Sequence, residues 1–208
     1  MAKLHFKYGT MNSSKTANLL MTAHNYEENG RVVWLFQSIK NTRDNSSKIM
    51  SRVGIEKPCF TFTPTANLVL LVNNLSEILD EFPDVILIDE IQFAEPEQIK
   101  QLVTLVDDFD ITVITYGLKT DYKAQLFDSV KELLIYSDKV EEIKQICSMC
   151  DKKAFMNLKI KDDIPVYDGD TLSIGDVKNS GKEQEDEFYV PVCRKHYFRP
   201  DMKELNIF

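Results

Sequence analysis

The sequence predicts an α/β protein, a parallel sheet flanked by helices with a small β-rich zinc-binding module after it, and three observations carry that expectation. Strand-length apolar runs alternate with helix-length amphipathic stretches over the first two thirds of the chain, the pattern of strand–helix–strand units whose sheet is covered on both faces. After about residue 138 the period of the apolar residues falls to two, which suits strands rather than helices. At the two ends of this later stretch stand a C-x-x-C and a C-x-x-H, the pairing expected of metal half-sites.

In chain order, residues 4–8 alternate as a strand, Gly9 to Lys15 is small and polar, and a helix carrying Leu19, Leu20 and Ala23 on one side stops at Asn29-Gly30. Val32 to Phe36 is continuously apolar and reads as a buried strand. Residues 41–66 are polar, with a short hairpin or loop near Gly54. Leu68, Leu71, Val72, Leu75, Ile78 and Leu79 recur near a period of 3.6, predicting a helix over 67–82. Val85 to Ile88 is a buried strand that ends abruptly in two carboxylates, Asp89 and Glu90. A helix begins near Glu95-Pro96, where proline is tolerated in the first turn, and runs to about Asp107; Ile111 to Tyr116 is the next buried strand. Beyond it, Ala154, Met156, Leu158 and Ile160 alternate with polar partners. Gly175 to Glu187 is rich in charge and small residues, so a mobile loop is expected there. The expected division is a sheet domain over 1–138, a β-rich module carrying the metal half-sites over 139–199 and a tail over 200–208.

Composition narrows the function. A chain of 208 residues suits one full domain plus a smaller unit. Its 25 Lys and Arg against 33 Asp and Glu leave a net charge of −8, with no cationic field to gather nucleic-acid backbones. The longest apolar runs, such as Leu68 to Val72, fall far short of the ~20 residues of a membrane span, and the start lacks the apolar stretch of a secretory signal. A cytoplasmic enzyme or binding protein, engaging neither nucleic acid nor membrane, is the expectation. A reducing compartment favours free thiols and metal ligation over disulfides. Cys59 stands apart as an expected buried small residue, whereas Cys147, Cys150, Cys193 and His196 form two half-sites with the 42 positions 151–192 between them. Soft thiolates and an imidazole in that pattern suit a closed tetrahedral Zn²⁺, and four protein ligands leave no position open for water, so the metal is structural.

Gly9-Thr10-Met11-Asn12-Ser13-Ser14-Lys15-Thr16 matches the phosphate-loop pattern G-x-x-x-x-G-K-[ST] except that Ser14 replaces the second glycine. In such a loop backbone N–H groups wrap a phosphate, the lysine reaches the outer phosphates and the hydroxyl binds Mg²⁺. A plain strand-to-helix turn with a solvated lysine fits the same residues. Asp89 and Glu90, at the carboxyl end of an apolar strand, shift the balance toward nucleotide binding. Ligands bind at that edge of open α/β sheets, a carboxylate there can hold Mg²⁺, and a second can act as general base toward a hydroxyl.

With these runs in view, the chain resembles the zinc-containing thymidine kinases of the bacterial and animal cytosolic type over residues 4–199. The resemblance rests on Met11-Asn12 with Lys15-Thr16, on Ile88 to Phe93, on Tyr116 to Tyr122, on Ile143 to Cys150, and on Tyr189 with Val192 to Tyr197. It implies a P-loop NTPase-like sheet with a zinc-bearing lid, ATP as phosphoryl donor with Mg²⁺, and thymidine as acceptor. It also implies a homotetramer and feedback inhibition by thymidine triphosphate. Residue by residue, it implies that Gly9 to Thr16 cradle the donor phosphates, with Asp89 as the acidic partner of the metal and Gln92 beside them. Glu90 takes the proton of the 5′-hydroxyl. Arg43 matches an arginine that neutralises the transferring phosphoryl group, although Asn41 stands where the family has an Asp. Met11, Phe93, Leu118, Tyr122, Phe127 and Tyr189 match positions lining the thymidine pocket, and the backbone of Leu172, Ser173, Ile174 and Gly175 matches the segment that holds the base. The 13 residues between Gly175 and Tyr189, with Glu183, Glu185, Asp186 and Glu187 among them, exceed the family's loop there and are expected to be exposed. Aromatics that follow strand ends ordinarily just pack, so the pocket roles rest on the resemblance.

Overall fold

The computed structural model describes residues 1–39, 47–169 and 187–205. Among them the chain forms β1 (Leu4–Tyr8), α1 (Lys15–Glu28), β2 (Val33–Ser38), β3 (Lys48–Met50), β4 (Glu56–Pro58), β5 (Phe60–Phe62), α2 (Leu68–Leu79), β6 (Val85–Asp89), α3 (Pro96–Asp107), β7 (Thr112–Gly117), α4 (Asp128–Tyr136) and β8 (Lys139–Glu142). The later part adds β9 (Gln145–Ile146), β10 (Lys153–Ala154), β11 (Met156–Lys161), β12 (Ile164–Val166), β13 (Glu187–Val192) and α5 (Arg194–Phe198). Two compact units result. One comprises Met1–Tyr8, Ser14–Leu118 and Phe127–Glu142; the other comprises Gly9–Ser13, Lys119–Leu126 and Ile143–Phe208.

In the first unit six strands lie in the order β5-β2-β6-β7-β1-β8, every neighbouring pair parallel. Alternation along a strand sends successive side chains to opposite faces. Leu4, Phe6, Trp34, Phe36, Ile86, Ile88 and Val113 accordingly join one core with Leu68 and Val72 of α2, Ile99 and Leu102 of α3, and Val130 and Leu133 of α4. Between them, Leu35, Leu87 and Ile114 point the other way, where α1 packs on β2, β6 and β7 through its buried Leu19, Leu20 and Ala23. The expected α/β architecture is therefore present, and every sheet strand delivers its carboxyl end to one edge.

Sequence periodicity placed the long elements and missed the short ones. The Asn67 side chain caps α2 by accepting from the Leu70 N–H, and Asp80, in the left-handed region at φ +53°, ends it two residues short of Phe82. The polar segment near Gly54 is the β3–β4 hairpin, turning through Gly54 at φ +84°. Missed altogether were β5, only three residues long, α4, and β8. The last lies beyond the expected boundary at 138, yet pairs with β1 from His5↔Lys139 to Tyr8↔Glu142. Its Lys-Val-Glu-Glu composition suits an edge strand, where charge discourages further pairing. Cys59 is half-buried rather than buried.

The second unit is β-rich, as the period of two predicts. Strand β11 pairs antiparallel with β12 on one side and β13 on the other, and β9 pairs with β10. Leu158, Ile160, Val190 and Val192 form its core with Cys147, Met149, Cys193 and Tyr197. Glu187, counted from sequence in the mobile acidic run, is instead the first residue of β13, held in register against Lys161. Among the described residues no helix is long and apolar enough to cross a membrane.

Candidate active site and metal centre

The site of the first unit is built at the carboxyl end of β6. Asp89, 2% exposed, is the last residue of that strand. Its two oxygens are both engaged: one accepts from the Thr16 hydroxyl at 2.8 Å, the other from the Glu90 N–H at 3.0 Å. Burial, then the Glu90 charge beside it, push the Asp89 carboxyl up to about 7, while the Thr16 and Glu90 hydrogen bonds and the Lys15 charge pull the other way. Lys15 is itself buried, and desolvation lowers its pKa against the favourable charges of Glu90 and Asp89. A cationic ligand at this cluster relieves the repulsion between adjacent carboxylates, which is the environment a Mg²⁺ and its hydration shell require. The hydroxyl and carboxylate therefore fit that ion.

Glu90 turns the chain out of the strand in the left-handed region, at φ +55°, a strained conformation for a residue with a side chain. Its carboxylate accepts from the Gln92 amide nitrogen. The other end of that amide accepts from the Leu118 N–H at 3.1 Å, and the Gln92 carbonyl accepts from the Ser129 hydroxyl at 3.2 Å. Gln92 is thus committed at both ends of its amide, and the Leu118 N–H decides which end faces Glu90. Gly117 permits this: a Cβ there would lie 2.6 Å from the Gln92 Oε1. Phe93 and Phe127 stand edge to face, centroids 6.5 Å apart.

In the second unit, the segment Gly9–Ser13 is tightly wound. Ser13 N–H donates to the Thr10 carbonyl at 3.3 Å, and a Cβ on Gly9 would fall 2.2 Å from the Ser13 Oγ and 2.9 Å from the Ile143 carbonyl, so only glycine fits. The buried Ser13 Oγ has no hydrogen-bond partner among the described residues, a donor left for an anion. Asn12 has a φ of +64°, in the left-handed region that anion-binding nests draw on; Ser14, the first residue of the first unit's next stretch, has a φ of +58°. Asn157, on β11, accepts from the Met11 N–H at 2.8 Å and donates to the Thr120 carbonyl at 3.4 Å. Tyr122 and Tyr189 lie edge to face with centroids 6.0 Å apart.

The four metal-ligand candidates converge. Their ligand atoms all lie within 4.8 Å of one another, with Cys147 Sγ 3.4 Å from His196 Nδ1 and Cys150 Sγ 3.9 Å from Cys193 Sγ. A tetrahedron on Zn–S bonds of ~2.3 Å and Zn–N bonds of ~2.0 Å has edges of roughly 3.5–3.8 Å, so the residues fit zinc. Cys193 sits at the N-cap of α5. Burial raises its thiol pKa, but the His196 N–H, the neighbouring thiols and the Lys195 N–H more than offset this and the net direction is down, toward thiolate.

The family model for thymidine kinase matches residues 2–197. The chain belongs to the thymidine kinase family. The thymidine kinase of Streptococcus gordonii is 42% identical to it over 202 residues, 97% of this chain and 99% of that one. That of Enterococcus faecalis is 44% identical over 200 residues, 96% of each, and that of a serotype Ia strain of Streptococcus agalactiae is 42% identical over 202 residues, 97% of this chain and all of that protein. For this thymidine kinase family member the structure links Thr16, Asp89, Glu90, Gln92 and Leu118 in one hydrogen-bonded cluster and joins Phe93 to Phe127. It joins Tyr122 to Tyr189 and gathers Cys147, Cys150, Cys193 and His196. Arg43 and the segment Leu172, Ser173, Ile174 and Gly175 lie outside the described residues, as do residues 176–186 of the long loop. Asn157 and Lys159 are among the polar partners of the alternating strand, to which the sequence assigns no role; both are buried. The signal was available in a lysine at the middle of a strand, a residue seldom buried without partners.

Proposed function

We propose that this chain is an ATP-dependent thymidine kinase of deoxynucleoside salvage, transferring the γ-phosphoryl group to the 5′-hydroxyl of thymidine. The observation that carries the reading is the linked cluster at the end of β6, in which Thr16 and Asp89 are joined at 2.8 Å while Gln92 aims the neighbouring Glu90 carboxylate. Glu90 takes the proton from the 5′-hydroxyl as its oxygen bonds to the γ-phosphorus. The bond from that phosphorus to the bridging oxygen breaks and ADP leaves. Lys15, Thr16 and the backbone of Gly9 to Ser14 hold the donor phosphates, and Arg43 adds positive charge at the transferring group. Thr16 and Asp89 would hold a magnesium ion, which would supply positive charge against the donor phosphates. Met11, Phe93, Leu118, Tyr122, Phe127, Tyr189 and the backbone of Leu172 to Gly175 receive the nucleoside. Discrimination then comes from an apolar slot with a few directed hydrogen bonds. Family membership supports the further reading of a cytoplasmic homotetramer inhibited by thymidine triphosphate, with zinc in a structural role.

Turnover of ATP and thymidine by the purified chain tests the reading, with Glu90→Gln as its sharp arm. That variant keeps shape while removing the proton acceptor, so turnover falls roughly 10²- to 10⁴-fold with ATP and thymidine still bound. Near-normal turnover would remove Glu90 from the mechanism. A wild type that phosphorylates a different nucleoside in preference to thymidine would reassign the substrate.

A further inference from the structure

The mid-strand residue of β11, Lys159, is 7% exposed, and its surroundings account for that. Its ammonium lies 5.0 Å from the Tyr122 ring centroid and 5.9 Å from that of Tyr189, and 2.7 Å from the Glu187 carboxylate. Tyr189 is its direct cross-strand partner on β13, and Glu187 lies one diagonal step along the same face. Taking an ammonium out of water is costly in general. The packing of β11 is meanwhile carried by Leu158 and Ile160 on the opposite face. A purely structural strand gains little from such a residue, since a buried ion pair adds little stability over an apolar side chain of similar volume.

What the ammonium does fix is orientation. The backbone around Tyr122 is already held. Its carbonyl accepts from the Tyr197 hydroxyl at 2.8 Å, the Asp121 carboxylate accepts from the Lys123 and Gln125 N–H groups, and Thr120 bridges to Leu126. The backbone of Tyr189 is held by the β11–β13 ladder. The rings are themselves packed, Tyr122 at 2% exposed and edge to face with Tyr189, and Lys123 also stands 5.8 Å from the Tyr122 ring. The Lys159 ammonium faces both rings at once, and a desolvated cation there favours the orientations that turn their faces toward it. We propose that Lys159, anchored by Glu187, is a positioning residue that holds the rings of Tyr122 and Tyr189 in the arrangement that receives the nucleoside base. This rests on the reading of those tyrosines as nucleoside-contacting residues.

The test compares Lys159→Met combined with Glu187→Gln, which removes the cation without stranding the carboxylate, with Lys159→Arg, which keeps it. Wild type, Tyr122→Ala and Tyr189→Ala are run alongside. Thymidine affinity by calorimetric titration, KM for thymidine and for ATP, kcat, zinc content and melting temperature are measured for each. The expected result is thymidine KM and Kd raised about tenfold in the double variant, with kcat, ATP KM and zinc content close to wild type, and affinity restored in Lys159→Arg. Wild-type thymidine affinity in the double variant, while either tyrosine variant loses it, overturns the positioning role. So does loss of zinc or folding in both Lys159 variants, which would make the residue structural. If neither tyrosine variant affects thymidine binding, the nucleoside-pocket reading itself fails and the inference falls with it.

Discussion

Ser14 is the residue at which this chain departs from the phosphate-loop pattern, and its backbone conformation settles what the departure costs. Where φ is negative, serine in place of glycine is nearly free; where φ is positive, the Cβ meets the following carbonyl at a cost of roughly 1–2 kcal/mol. Ser14 sits at φ +58°, so the strain is present, in a loop that already holds Asn12 at +64°. Asparagine tolerates that region better than serine does. Ser14→Gly relieves the strain and partly offsets the relief with greater freedom in the unfolded chain, for a net gain of up to about 1 kcal/mol. With Lys15, Thr16, Asp89 and Glu90 untouched, catalytic efficiency should change by less than about tenfold. Denaturant unfolding and ATP-dependent thymidine phosphorylation of both forms check this. A drop in stability would mean the serine side chain makes a compensating bond, and rescue of an inactive wild type would mean the kinase step had been lost. The φ of Ser14 was not legible in the sequence, because a backbone dihedral at a loop residue follows from closure of the whole turn. That the residue mattered was legible, from the one mismatch in an eight-residue pattern.

At the scale of elements, long periodic or continuously apolar runs were readable and short or charged ones were not. Strands β2, β6 and β7 announce themselves because burial on both faces demands apolar residues throughout. At the edge of the same sheet β8 carries Lys139, Glu141 and Glu142, so its pairing is set by β1 rather than by its own composition. The same blindness hid the burial of Asn157 and Lys159 on β11. A period of two separates two faces without saying which of them meets solvent, and here both are covered, one by the core and one by Tyr122 and Tyr189. The metal half-sites were fully legible, since a turn that presents two ligands is a local pattern. Their consequence reaches further than the ligands, because Cys147 and Cys193 are also core residues of the unit that contains Met11, Tyr122 and Tyr189. One equivalent of zinc should co-purify, and Cys150→Ser should lose it, lower the melting temperature, and weaken thymidine binding more than ATP binding. Metal analysis, a thermal melt and separate titrations with the two substrates read this out. An active, zinc-free protein would contradict it.

For the molecule as a whole, the second unit is assembled from three separate stretches of chain, and this limits how independent it can be. A fragment covering residues 143–208 keeps all four metal ligands and the core of Leu158, Ile160, Val190 and Val192, so it should still bind zinc. It loses the segments 9–13 and 119–126. Asn157 then lacks the Met11 N–H it accepts from at 2.8 Å, and the Tyr197 hydroxyl lacks the Tyr122 carbonyl at 2.8 Å; the long 3.4 Å bond from Asn157 to the Thr120 carbonyl goes too and adds little. Each of the two shorter bonds contributes about 1 kcal/mol net, and where metal binding and folding are coupled the loss appears in the metal affinity. The fragment should therefore hold zinc roughly 30-fold more weakly than the full chain, the ratio that about 2 kcal/mol sets. Competition against a chelator of known affinity, run on both proteins at the same pH, measures it. Equal affinities would mean that the metal centre and its β-sheet fold without the two earlier segments, and the unit would then count as a contiguous domain beginning at Ile143.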